Sequence, residues 1–294
     1  MNKSQGFKKL EKRILRKIGN LNREYNLIRP GDNVVLGVSG GKDSLALSVL
    51  LQKLKERAPF VFNFSALTLD TGLSSDSKDA LKKFMSSYNI DFRIQETNIR
   101  STVESVVPEG KQPCSACSRF RRGILYDYAW ENRAVLALGH HGDDAVETLL
   151  MNIFFTGKIQ SMPPVLVSDD KRNRLIRPML YVREFELAEY ASAIDAPVVS
   201  GCNCPGVDFL ESGQRAFMKK LVSDFELSYP DTANHLIKSL SNIKSSNMMD
   251  QGLWDFSGLT ASWESENPKI IWKETVRNFN STSMGKKLLE KDES

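Results

Sequence analysis

The chain has 294 residues, room for one large α/β domain with appendages, and its hydrophobic (41%) and charged (26%) fractions exclude a disordered or fibrous protein. A formal net charge of +4 is too small to mark the whole surface for nucleic acid, so local basic clusters must carry that question. No apolar run approaches the roughly 18 residues that cross a bilayer, and MNKSQGFKKLEKRILRK lacks the apolar core of a signal peptide, so a cytoplasmic protein with no membrane contact is expected.

Residues 7–28 carry Phe7, Leu10, Ile14, Ile18, Leu21 and Leu27 at helical spacing among many Lys and Arg. This predicts a basic amphipathic helix whose polar face either is solvated or contacts RNA. Arg29-Pro30-Gly31-Asp32 turns the chain into an apolar run, Val34 to Val38, followed by Ser39-Gly40-Gly41-Lys42-Asp43-Ser44 and the amphipathic stretch Leu45 to Leu54. That is a buried strand, a glycine-rich turn and a helix. A second strand is predicted over Phe60–Leu69, ending at Asp70, then a helix over Ser74–Tyr88 and a third strand over Phe92–Glu96. A helix starts at the Cys114-Ser115-Ala116-Cys117 turn, and Val135–Leu138 is a fourth strand that leads into Gly139-His140-His141-Gly142-Asp143-Asp144 and another helix. Leu175–Met179 reads as strand or extended chain and Arg183–Ile194 as a helix; residues from Gln214 to Phe256 read as mainly helical. Four parts are expected: a basic helix (1–30), a nucleotide-binding and catalytic domain (31–215), a helical C-terminal segment (216–262) and a polar tail (263–294) of disordered composition. Strands alternating with helices predict an α/β fold, a doubly wound parallel sheet.

The glycine-rich turn is suited to anions. The first N–H groups of a helix have no intrahelical acceptor, and the helix dipole places partial positive charge there. Gly40 and Gly41 let the backbone turn tightly and approach a phosphate, Ser39 and Ser44 add hydroxyls, and Lys42 adds a positive charge. Asp43 would repel a phosphate unless a cation intervenes, which assigns it to Mg²⁺. A Walker A loop would need glycine at 36 and Ser or Thr at 43, and Leu36 and Asp43 stand there. Open parallel sheets place ligands at the C-terminal ends of their strands, so Leu69, Asp70 and Gly139 are candidates for the nucleotide, with Asp70 equally suited to capping a turn. Asp143 and Asp144 are candidates for an Mg²⁺ ligand or a base, or for helix caps. The four cysteines form two tight pairs, Cys114/Cys117 and Cys202/Cys204. Without a secretion signal they suit a metal or redox site more than disulfides. Beside the first pair, Arg119, Arg121 and Arg122 suit phosphate or a negatively charged intermediate.

SGGKDS resembles the PP-loop of the N-type ATP pyrophosphatases. Taken with CSACSRFRRGILY, LGHHGDDAVETLLMNIFFTGKIQSMPP, a later IRPMLYVRE, and CNCPG, the chain from about residue 8 to about residue 256 resembles the tRNA 2-thiocytidine synthetases. The resemblance implies a Rossmann-like PP-loop fold and ATP-dependent thiolation of a cytidine in the anticodon loop of tRNA. It implies ATP, Mg²⁺ and a [4Fe–4S] cluster held by three cysteines, a sulfur donor such as a cysteine desulfurase, and a homodimer. Carried over, Cys114 and Cys117 are two cluster ligands. Counted from Pro197, Cys204 stands at the third ligand position, with Cys202 as the alternative. The implied scheme has ATP on Ser39–Ser44, the cytidine O2 attacking the α-phosphate, Lys42 and Arg121 offsetting charge, and sulfur then displacing AMP. Two other readings compete: a PP-loop ligase of the lysidine synthetase kind, which needs no thiols, and a zinc-stabilised RNA-binding protein with a vestigial ATP loop.

Overall fold

Val34, Val35 and Leu36 form the middle of β1 (Asn33–Gly37) and are buried on both faces, as a central parallel strand requires. In the computed structural model the described residues are 3–107, 113–199, 213–253, 256–259 and 264. They fall in two compact units, Met1–Ile237 and Lys238–Ser294. The first contains a six-stranded sheet in the order β3-β2-β1-β4-β6-β5, with β2 at Asn63–Asp70, β3 at Asp91–Glu96, β4 at Val135–Ala137, β5 at Val165–Val167 and β6 at Arg174–Ile176. The pairs β3-β2, β2-β1, β1-β4 and β4-β6 are parallel, and β5 is antiparallel to β6. The expected α/β sheet is therefore present, with an antiparallel edge strand that the alternation of strands and helices did not announce. Three residues after Pro163-Pro164 are too short to give a pattern, and short strands beside proline belong at sheet edges.

Strand order reverses between β1 and β4, because the chain leaves β1 for β2 and β3 on one side and later returns to β4 on the other. The crevice outside the C-terminal ends of these two strands is where such sheets bind ligands. Helix α2 (Lys42–Arg57) starts at that edge and is buried without interruption from Ser44 to Leu51. This immobilises its N-terminal turn, and truncating Leu50 to Ala is worth roughly 2–5 kcal/mol of stability.

Helix α1 (Lys3–Tyr25) buries Leu10, Ile14, Ile18 and Leu21 on the predicted stripe. It packs on α7 (Glu184–Ala193): Phe7 stacks on Tyr190 at 5.5 Å, and Arg13 and Lys17 reach the buried Glu186 at 2.8 and 2.6 Å. The helix ends three residues before the expected 28. Asn26 takes a left-handed φ of 51°, and Asn22 Oδ1 accepts the Ile28 N–H at 2.7 Å. Leu27 and Ile28 are buried from an irregular turn, so their apolar spacing was mistaken for a helix.

Helix α3 (Ser75–Ser87) is capped by Ser74, whose hydroxyl accepts from the Ser77 N–H at 3.2 Å. Helix α4 (Ile99–Val106) was not expected; it buries only Ile99 and Val103, two positions on one face and too few for a periodic signal. Helix α5 (Cys114–Glu131) follows, then α6 (Gly142–Thr156) after β4, α8 (Gln214–Ser228) and α9 (Thr232–Ser239). Val146, Val222, Ala233 and Ile237 join α6, α8 and α9 in one apolar cluster. Beyond Ser239 the only helical elements among the described residues are two 3₁₀ turns, Ser245–Asn247 and Phe256–Gly258, where a mainly helical run was expected. The stretch is rich in Ser, Asn, Asp and Gly, whose side chains favour turns; Asp250 Oδ1, for instance, accepts the Gly252 N–H at 2.7 Å. Cys202, Cys204 and all of the 263–294 tail except Glu264 lie outside the described residues. Among the described residues no helix is long and apolar enough to cross a membrane.

Candidate active site

At the C-terminal edge of β1 the chain makes its phosphate loop. Ser39 and Ser44 are linked through their hydroxyls at 3.1 Å, Ser44 Oγ accepts the Ser39 N–H at 3.2 Å and donates to the Gly41 carbonyl at 2.9 Å, and Ser39 Oγ accepts the Gly41 N–H at 3.3 Å. The two serines therefore brace the turn. Gly40 sits at φ +85°, and a Cβ there would lie 2.5 Å from Val199 Cγ2. Val199 also donates its N–H to the Gly40 carbonyl at 3.0 Å, so the segment at Val199 is docked on the loop. Gly41 is the N-cap of α2 and supplies no side-chain cap, leaving the first-turn amides to a ligand. Gly139, two residues past the end of β4, packs on that turn: a Cβ would meet Ser44 Cα at 3.3 Å.

Lys42 Nζ is bonded to Asp43 Oδ2 at 3.1 Å and to Glu184 Oε1 at 2.9 Å, and Glu184 also receives Lys219 at 2.6 Å. Burial pushes the Glu184 carboxyl up, but hydrogen bonds from Lys219 and Lys42 overcome this and hold it at about 2. Asp43 presents the opposite situation, since its Oδ1 is buried with no hydrogen-bond partner. A buried carboxylate oxygen left open calls for a cation or donor. Mg²⁺ fits this position by its preference for carboxylate oxygen.

A cavity of about 610 Å³ opens from the phosphate loop. Ser39, Gly41, Asp43 and Ser44 line one wall, and Cys114, Cys117, Arg121 and Arg122 of α5 line another. Leu69 and Gly139 also border it. The lack of a side chain at Gly37 lets α5 close over β1, where a Cβ would meet Leu125 Cδ1 at 3.3 Å. Cys114 and Cys117 lie one helical turn apart, a Cβ separation of roughly 5–6 Å. Two thiols at that spacing on one cavity wall fit two ligands of a [4Fe–4S] cluster.

Asp70 does not line the cavity. Its Oδ1 accepts from the Gly72 and Leu73 amides at 2.9 Å each, and Oδ2 pairs with Lys78, the turn-capping arrangement. Asp143 and Asp144 are likewise engaged elsewhere. Asp143 accepts from Arg183 Nε at 2.9 Å and from the Glu184 amide at 2.6 Å. Asp144 forms a capping box with His141: Asp144 Oδ2 accepts the His141 N–H at 3.0 Å, and His141 Nδ1 accepts the Asp144 N–H at 3.4 Å. Arg215 of α8 bridges Asp144 at 3.0 Å and Glu147 at 3.1 Å.

Among the lining residues not expected as site residues, His140 and Arg177 carry ionisable side chains. His140 has its Nδ1 buried without a partner, and burial lowers its pKa against the pull of Asp144. Arg177, directly after β6, is a buried arginine facing the cavity. Its sequence cues were a charged residue ending an apolar strand and its place in the IRPMLYVRE stretch. Among the described lining residues there are three guanidiniums, from Arg121, Arg122 and Arg177, and one carboxylate, that of Asp43. Such a cavity suits a polyanion.

The PP-loop domain family matches residues 10–199. The tRNA-cytidine(32) 2-sulfurtransferase 1 of Francisella tularensis subsp. tularensis (strain WY96-3418) is 42% identical over 258 residues, 87% of this chain and 95% of that protein. The tRNA-cytidine(32) 2-sulfurtransferase of Burkholderia mallei (strain SAVP1) is 41% identical over 279 residues, 94% of this chain and 83% of that one. Among solved structures, the U34-tRNA thiolase NcsA from Methanococcus maripaludis with its [4Fe–4S] cluster shares the fold at a TM-score of 0.62 and 24% identity, over 79% of this chain and 78% of that one. The chain thus belongs to the PP-loop domain family and, within it, to the tRNA-cytidine(32) 2-sulfurtransferases.

Proposed function

We propose that the protein is an ATP-dependent tRNA sulfurtransferase that replaces O2 of cytidine 32 with sulfur. The observation that carries this is a single cavity lined both by the phosphate loop, Ser39 to Ser44, and by the thiols of Cys114 and Cys117. An ATP-dependent ligase using an amine would have no use for the thiols, and a vestigial ATP loop would not keep an open helix N-terminus beside an unsatisfied Asp43 oxygen.

In this reading the first-turn amides of α2 and Lys42 hold the ATP phosphates, and Asp43 holds Mg²⁺. Cytidine O2 attacks the α-phosphorus, a new P–O bond forms, the α–β bridge breaks and pyrophosphate leaves. A sulfide-level nucleophile then forms a C2–S bond, and the C2–O bond breaks to release AMP carrying the original oxygen. An amide-like oxygen is a poor leaving group, so adenylation has to come first. Lys42 and Arg121 offset the charge that develops at the phosphate. Cys114, Cys117 and Cys204, or Cys202 in its place, would hold a [4Fe–4S] cluster, which when bound supplies an open iron site to carry the sulfur. Asp143 and Asp144 act as positioning residues through Arg183 and the α6 cap. The partners of this reading are a tRNA anticodon stem–loop, a sulfur donor such as a cysteine desulfurase, a two-electron thiol reductant that brings the donor's persulfide sulfur to the sulfide level, and a second copy of the chain, all in the cytoplasm.

The test is anaerobic purification with iron, sulfide and zinc analysis of wild type, Cys114→Ala, Cys202→Ala and Cys204→Ala. Each is also assayed by mass spectrometry for ATP-dependent thiocytidine in tRNA. About four irons per chain, lost with Cys114 and with one of the second pair, together with thiocytidine from wild type, is the expected result. Zinc in place of iron, or no thiocytidine from cluster-loaded wild type, overturns the reading.

A further inference from the structure

Arg177 is 9% exposed, and among the described residues no carboxylate pairs with it. Its Nη1 donates to the Pro163 carbonyl at 2.7 Å, and its own N–H donates to the Pro164 carbonyl at 2.9 Å. Its Nε has no hydrogen-bond partner, although it is buried. A buried guanidinium left partly unsatisfied is costly to keep unless a ligand completes it. The unpartnered Nε lies on the side edge of the guanidinium, the edge that takes two oxygens of a phosphate together.

Topology separates this group from the phosphate loop. Arg177 follows β6, the phosphate loop follows β1, and β4 lies between them. Two strand spacings are roughly 10 Å. The Pro163-Pro164 anchor precedes β5, on the side of β6 away from β1, so the Nη1 end of the guanidinium is tied on the far side of β6 from the loop. A triphosphate cradled at Ser39–Ser44 is therefore not what Arg177 is placed to hold. Arg122 and Tyr126 of α5 stand beside it on the same wall, and Arg122 adds positive charge.

We propose that Arg177 is an RNA-binding residue of the active site, taking a backbone phosphate of the nucleotide that enters the cavity for thiolation. The inference rests on the tRNA reading above. Anticodon-loop nucleotides must be splayed out of the stack to be modified, which brings their phosphate to the rim of the pocket. A buried arginine there fixes the nucleotide's position while the phosphate loop and Lys42 deal separately with ATP.

The test measures binding of an anticodon stem–loop RNA to the full-length, anaerobically purified protein at several KCl concentrations, for wild type, Arg177→Gln and Arg177→Lys. KM for ATP and thermal melting are measured on the same samples. Expected for Arg177→Gln are RNA affinity weaker by about tenfold to a hundredfold and a salt slope smaller by roughly 0.7 to 1. KM for ATP stays within about twofold and Tm does not fall, because an unpaired buried charge has been removed. Arg177→Lys, which keeps the charge and loses the side edge, falls between the two. Unchanged RNA affinity overturns the proposal. So does weaker RNA binding with an unchanged salt slope, which indicates a base contact, or a raised KM for ATP, which returns Arg177 to the nucleotide. Loss of folding in both variants also overturns it, since Arg177 is then a structural strut. Failure of wild type to bind the stem–loop sinks the tRNA reading itself; wild-type binding that the variants leave unaltered sinks only the role of Arg177.

Discussion

Two neighbouring parallel strands, β1 and β4, each end in a loop that opens a helix at the switch point of the sheet, yet the two helix N-termini are finished differently. That of α2 begins at Gly41 with no side-chain cap and with a buried Asp43 oxygen left unpartnered. That of α6 is closed by its own residues, His141 and Asp144 in a capping box and Asp143 in the grip of Arg183. The same backbone geometry thus yields one site open to an anion and one whose donors are already used. A helix N-terminus at a ligand-binding edge is a binding site only when the chain declines to cap it. Acidic residues next to such a terminus are ambiguous until their partners are known.

Asp43→Asn gives the largest expected effect. It removes a cation ligand at the open terminus, so the adenylation rate should drop about a thousandfold, while Tm should hold steady because Asp43 supports little else. Pyrophosphate release at saturating ATP measures the first, and a thermal melt the second. A large fall in Tm with modest loss of rate would mean that the open terminus is structural after all.

Asp144→Ala probes the closed terminus. Loss of the cap and of the Arg215 bridge should cost about 1–2 kcal/mol, a Tm shift of several degrees, with ATP affinity changed by less than about twofold. Loss of ATP affinity at unchanged Tm would return Asp144 to the nucleotide site and erase the contrast.

The smallest effect concerns Glu147, one turn further along α6. Burial, opposed by Arg215, raises its carboxyl to about 7. The folded state therefore binds a proton that the unfolded state releases near pH 4.5. Its contribution to stability is full below about 4.5 and is lost as pH rises through about 7. Glu147→Gln should flatten the fall of Tm across that window. An unchanged slope would show that Arg215 keeps Glu147 ionised.

Much of this was legible in the residues. The four main parallel strands, the SGGKDS turn and the CxxC at a helix start are local patterns, set by backbone periodicity and by the conformational freedom of glycine, and they appear where expected. Other features were not legible because their signals are weak or absent. Helix α4 offers two buried residues, β5 only three residues, and the end of α1 depends on the left-handed Asn26.

The sequence by itself determined the chemistry on offer: a phosphate loop that is not a Walker loop, a pair of thiols one turn apart, and basic residues beside them. Tertiary structure alone decided which of these meet. It put Cys114 and Cys117 on the same cavity as Ser39–Ser44, set Glu184 against Lys42 across 142 positions of chain, placed Val199 on Gly40, and left Arg177 buried with an empty Nε. The reason is physical. Short-range patterns report the period of a helix or strand, whereas the partner of a buried charge is chosen by strand order and by what must be satisfied once water is excluded.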